Sequence, residues 1–135
     1  MNRHDSRVAA VQGLYSWDMN ENKEAADVTS FNWIEAKREG DDLTYARLML
    51  SGTLENISEI DSEIKSRLSP KWDFSRVNKV TLAILRVSAY SLLYQKDLES
   101  AIIINEAVEI AKSFGIDDQT AFINGILDRI SKEKR

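Results

Sequence analysis

The sequence has no cysteine, a single histidine and a single proline among 135 residues. Without thiols there are no disulfide staples and no thiolate metal centres, a composition compatible with a reducing cytosol. His4 alone cannot build a histidine metal cluster or an imidazole-based catalytic centre. Positive charge is also scarce: 18 Lys and Arg stand against 22 Asp and Glu, giving a formal charge of −4 and a pI near 5.1. That balance excludes a generally basic nucleic-acid coat. Any RNA or DNA contact is expected on a small local patch, with acidic surface elsewhere that suits a basic protein partner. The N-terminus is polar and no apolar stretch follows a basic start, so no secretory leader is expected and the cytoplasm is the expected compartment. Glycine-rich phosphate loops, nucleophile–base pairs and metal-ligand spacings are all missing. The expectation is a non-enzyme without a cofactor.

What the chain does have is apolar residues at helical spacing, most densely in Val80–Tyr94, VTLAILRVSAYSLLY. This run is apolar around most of the helix circumference, so it must be surrounded by other elements. It is shorter than the ~20 residues that cross a bilayer and carries Arg86 in its middle, which makes it a core helix of a chain with no membrane span. A cation there needs a carboxylate partner or an exit to solvent, and a buried structural pair is preferred to a ligand role.

Around this centre, a first helix is expected over Ser6–Met19, capped by Asp5 or Ser6, with Arg3, His4 and Arg7 at or before its start. Those three form either an anion-attracting patch or a solvated tail. A polar break at 20–23 leads to a weaker helix with Val28, Phe31, Trp33 and Ile34, ended by Gly40. Asp41 or Asp42 then opens one long helix whose seam is Ala46, Leu50, Thr53, Ile57, Ile60, Ile64 and Leu68. The seam reads as a packing face against the central helix, with a coiled-coil surface as the alternative. Pro70 stops this helix, and residues 71–78 form a corner in which Trp72 is expected to plug the core, with a base-stacking platform as the alternative. Beyond the central helix, Glu99 or Ser100 begins another helix, with Gly115 at its left-handed C′ position and the Glu109–Lys112 spacing suited to a surface ion pair. Asp117 or Asp118 caps the last helix, whose face is Phe122, Ile123, Ile126, Leu127 and Ile130, and the basic tail 132–135 is expected to fray. The fold class is all-α: about six to seven helices in one domain spanning 1–135, arranged as two three-helix-like halves around the central apolar helix.

Four segments carry a family resemblance: AVQGLYSWD (10–18), WDFSRVNKVTLAILRVSAYSLLY (72–94), INEAVEIAKSFG (104–115) and FINGILDRI (122–130). In content, order and spacing they resemble the NusB family of transcription antitermination factors. The resemblance implies an RNA-binding protein that engages single-stranded boxA-type RNA of ribosomal RNA transcripts together with NusE, a small-subunit ribosomal protein. The pair then acts on the elongating RNA polymerase complex with other Nus factors. It implies an RNA-binding set of Arg3, His4 and Arg7, a reduced form of the family's arginine-rich start, together with Asp118, Gln119 and Phe122. Phe122 also fits the apolar face of the last helix, so stacking on a base and edge-of-core packing both remain open. The implied NusE-binding set is Tyr15, Ser75, Arg76 and Thr81. Two alternatives accompany this reading: a protein-interaction module of the same fold that has lost RNA binding, and a homodimer.

Overall fold

The computed structural model describes residues 1–20, 24–31 and 42–135. Among them are seven α-helices and two 3-10 turns, and no strand. The helices are α1 (Arg3–Met19), α2 (Ala25–Thr29), α3 (Thr44–Glu55), α4 (Ile57–Ser66), α5 (Lys79–Tyr94), α6 (Ser100–Ser113) and α7 (Thr120–Lys134). Helix α5 is the hub: it packs on α1, α3, α4, α6 and α7, while α1 packs on α3 and α6 on α7. Every residue from 81 to 92 is buried, and Leu82, Ile84, Leu85 and Leu92 are almost completely enclosed. Each such side chain contributes about 1.5–3 kcal/mol on burial. Only the ends of the run escape, where Val80 is partly buried and Tyr94 is exposed.

Several boundaries differ from the sequence expectation. Helix α1 begins at Arg3 rather than Ser6, because the Asn2 side chain caps it, its Oδ1 accepting from the Asp5 amide at 2.7 Å. Arg3 and Arg7 therefore stand one turn apart on the same helix face. The expected long third helix is two helices, broken at Asn56, whose Nδ2 donates to the Gly52 carbonyl at 2.8 Å. An asparagine side chain that takes a backbone acceptor competes with helix propagation. The seam survives the break, with Ala46, Leu50 and Thr53 buried on α3 and Ile60 and Ile64 on α4. At Gly52 the α3 backbone presses on the Tyr90 ring of α5, and an added Cβ would overlap that ring.

Helix α2 ends at Thr29, and Phe31 lies beyond it at φ +56°, fully buried. The expected roles of Trp33, Ile34, Gly40 and Asp41 fall outside the described residues. Asp42 does help to open α3, accepting the Thr44 amide at 2.9 Å. After Gly115, at φ +74°, the Ile116 amide donates to the Ala111 carbonyl and the Gly115 amide to the Lys112 carbonyl, each at 3.0 Å. That pair of bonds is the Schellman closure, so the C′ expectation holds. Glu109 and Lys112 form the expected surface pair at 3.6 Å. Helix α7 is not capped by an aspartate side chain: a 3-10 turn, Asp117–Gln119, leads directly into it. The basic tail is tethered rather than frayed. Arg135 donates to Ser100 Oγ and to the Gln95 carbonyl, both at 2.9 Å, and Lys96 donates to the Lys134 carbonyl at 3.0 Å.

Arg86 has the carboxylate partner its position demands. Its Nε and Nη2 donate to Asp61 Oδ1 and Oδ2, both at 2.8 Å, and its Nη1 lies 3.4 Å from Asp18 Oδ2. The fork joins α4, α5 and α1.

Candidate functional site

The expected site residues divide between the two ends of α5. Near its C-terminal end, Arg7 Nη2 donates to Tyr45 Oη at 3.3 Å, and Gln95, the residue after α5, donates from Nε2 to the same oxygen at 3.4 Å. The Arg3 guanidinium stacks over the Tyr45 ring with its carbon 3.7 Å from the centroid. Stacking of this kind holds a cation in place without neutralising it. Arg3, Arg7, Tyr45, Gln95, Asp97 and Ile102 line a cleft of ≈ 280 Å³. His4 turns away from the cleft, with Nδ1 2.7 Å from Glu106 Oε1 on α6, and Arg7 Nη1 lies 3.9 Å from the same oxygen. Of these three residues, Arg3 is exposed and forms no ion pair among the described residues, His4 is exposed but held by Glu106, and Arg7 is buried.

At the other end of α5, Thr81 is fully buried and its Oγ1 donates to Gln119 Oε1 at 3.1 Å. Thr81, expected in the partner-binding set, therefore lies beneath the surface, with its hydroxyl bonded to Gln119. Gln119 Nε2 reaches Asp118 Oδ2 at 3.4 Å. Phe122 is half-buried, packing on the core with one part of its ring and meeting Trp72 with the other. The Trp72–Phe122 centroids are 5.3 Å apart and the rings are inclined by 43°. Trp72 is 52% exposed and so is not the expected core plug. It stands at a surface corner because residues 69–73 turn outward after α4, and its ring borders a hollow of ≈ 130 Å³ with Phe122, Arg67 and Arg129. The two aromatic rings can stack a base. Of the two guanidinium groups beside them, Arg67 is already paired with Glu63 at 3.1 Å and Glu133 at 2.9 Å, and Arg129 donates to the Arg67 carbonyl at 2.7 Å.

The expected partner residues gather at the same end. Tyr15 is 37% exposed and, with Val11, Gln12, Val80 and Phe114, lines a mainly apolar hollow of ≈ 260 Å³. Ser75 and Arg76 lie in the 3-10 turn Phe74–Arg76, capped by Asp73 just before α5. The Ser75 hydroxyl and amide both donate to Asp73 Oδ1, at 2.8 and 3.0 Å, and these bonds hold the Asp73 carboxyl below the ordinary aspartate range. Tyr45 is the site-bordering residue that sequence reasoning missed, whereas for Trp72 the exposure favours the alternative, a stacking platform, over the core plug. An aromatic two residues after the helix-stopping Pro70 was the signal for Trp72. For Tyr45 there was none, since its partners lie far away in sequence.

Fold and surface together define an all-helical binding module that presents a cationic, aromatic cleft at one end of a buried helix and an aromatic and apolar surface at the other. The chain belongs to the NusB family, whose pattern matches residues 4–132. The transcription antitermination protein NusB of Treponema pallidum is 46% identical, over 96% of this chain and 92% of that protein. The structure of T. maritima NusB superposes with a TM-score of 0.85 at 33% identity, covering 98% of this chain and 92% of that one. A structure of the antitermination factors NusB and NusE in complex with dsRNA contains a chain that matches with a TM-score of 0.83 at 25% identity, covering 98% of this chain and 99% of the other. No helix among the described residues is long and apolar enough to cross a membrane.

Proposed function

We propose that this chain is a transcription antitermination factor: a cytoplasmic, non-catalytic adaptor, one helical domain over 1–135, that binds boxA-type RNA of ribosomal RNA transcripts together with NusE. The pair would join the elongating RNA polymerase complex with other Nus factors. The observation that carries this reading is family membership along almost the whole chain, seen beside a relative in complex with NusE and RNA.

On this reading Asp118, Gln119 and Phe122 meet exposed bases, joined by Trp72, while Arg3, His4 and Arg7 attract the phosphate backbone. Tyr15, Ser75 and Arg76 face NusE, with Thr81 acting from beneath through Gln119. A chain of net charge −4 pairs well with a basic ribosomal protein, because opposite fields speed and orient association. With so few free cations, the complete RNA surface would be composite, part of its charge coming from NusE.

The test is fluorescence anisotropy of a labelled boxA-like single strand titrated with this protein, with and without equimolar NusE, at two salt concentrations. Tight binding that needs NusE, with a shallow salt slope for this chain alone, is the expected outcome. Formation of a protein pair without RNA binding in either condition would favour the protein-interaction module, for which the pairing of His4 with Glu106 speaks.

A further inference from the structure

Two residues at the start of α1, His4 and Arg7, are already engaged by a carboxylate of the same chain. Glu106 projects from the middle of α6, its side chain 22% exposed, and one of its oxygens lies 2.7 Å from His4 Nδ1 and 3.9 Å from Arg7 Nη1. This carboxylate sits where an RNA phosphate would have to sit to use those two groups. Among the described residues no carboxylate pairs in this way with Arg3, which contacts the Tyr45 ring. On the other side of Arg7, the cleft that Arg3 and Tyr45 line has an acid of its own, Asp97, from the turn between α5 and α6. Three residues further along α6, Glu109 is exposed and pairs with Lys112.

We propose that Glu106 is the affinity-limiting residue of the RNA surface, an internal competitor that occupies His4 and Arg7 until a phosphate displaces it. The inference rests on the RNA-binding function proposed above. The physical basis is twofold. A phosphate approaching His4 and Arg7 must break interactions that already exist, and it must then lie beside a carboxylate that has lost its partners and repels it. An RNA held elsewhere as well, on the partner or on the aromatic corner, is bound firmly enough there to drive the exchange. A non-cognate strand that offers phosphates alone is not. Glu106 thus discriminates against non-specific polyanions as well as lowering overall affinity.

The experiment compares wild type, Glu106→Gln and Glu109→Gln in the anisotropy assay, with the basic partner present and absent. Both variants change net charge by the same amount, and only the first frees His4 and Arg7. Circular dichroism and thermal melting check that each remains folded. Glu106→Gln should tighten RNA binding by about fivefold, the upper end of what a partly exposed ion pair is worth, while Glu109→Gln stays near wild type. The salt slope of log K should steepen by about 0.7 for each additional phosphate that the freed cations neutralise. Adding His4→Ala to Glu106→Gln should erase part of the improvement. Wild-type RNA binding with no improvement in Glu106→Gln overturns this inference alone, and weaker binding overturns it too, making Glu106 a positioning residue for the cations. Absence of binding by every variant overturns the RNA reading and this inference with it.

Discussion

Replacing Asp61 with alanine should reveal how strongly the core depends on a buried cation fork. Arg86 is 6% exposed and makes two 2.8 Å hydrogen bonds to Asp61. Removing one partner of a buried pair costs about 3–5 kcal/mol, because the remaining charge is left desolvated and uncompensated. Asp18, 3.4 Å from Arg86 Nη1, stays behind as a second counter-charge, which places the expected loss near the lower end, about 3 kcal/mol. For a chain of this size that corresponds to a fall in Tm of about 10 °C. Urea unfolding followed by circular dichroism measures it, and the m-value should be unchanged if the loss comes from the folded state. Combining Asp61→Ala with Arg86→Met should recover most of the stability, since an apolar side chain of similar length needs no partner in the core. A loss below about 1 kcal/mol in the single variant, the range of an exposed pair, would refute the reasoning. So would a double variant as unstable as the single one.

Gly115→Ala should cost about 1–2 kcal/mol in a thermal melt, purely from the left-handed backbone, because a Cβ there meets no atom within 4 Å. The Tyr94 phenol is pushed up to about 12, first by burial and then by its hydrogen bond to Glu59 and the charge of that carboxylate. A neutral acid whose folded pKa is raised contributes stability that is complete below the unfolded value near 10 and is lost as pH rises through about 12. The phenolate absorbance titration of wild type should show that late step, and Tyr94→Phe should reduce its amplitude, leaving the Tyr90 phenol, which burial also raises. Trp72→Ala should weaken RNA binding by about 1–3 kcal/mol in the anisotropy assay while barely altering the melt, since the ring is half in solvent. Unchanged affinity would reduce the Trp72–Phe122 pair to a packing contact.

Periodicity made the helices legible, because burial of a repeating face is written directly into residue order. The surrounded character of α5 and the left-handed Gly115 were both readable for that reason. What could not be read were features decided by a single polar side chain. Asn56 divides a seam whose hydrophobic spacing continues across the break, and Asn2 extends α1 through residues with no apolar pattern. The site was less legible still. That Trp72 is exposed depends on the direction of a corner, and that Thr81 is buried depends on Gln119 arriving from 38 residues away. Glu106 reads from sequence as a helix-face acid, and its hold on His4 depends on α1 and α6 meeting across 102 residues.

The rigid hub also sets a length. From Thr81, under Gln119, to Gln95, under Tyr45, the chain climbs nearly the whole of α5, about 21 Å at 1.5 Å per residue. The surfaces at its two ends therefore stand at a fixed separation, and a ligand that touches both must be at least that long.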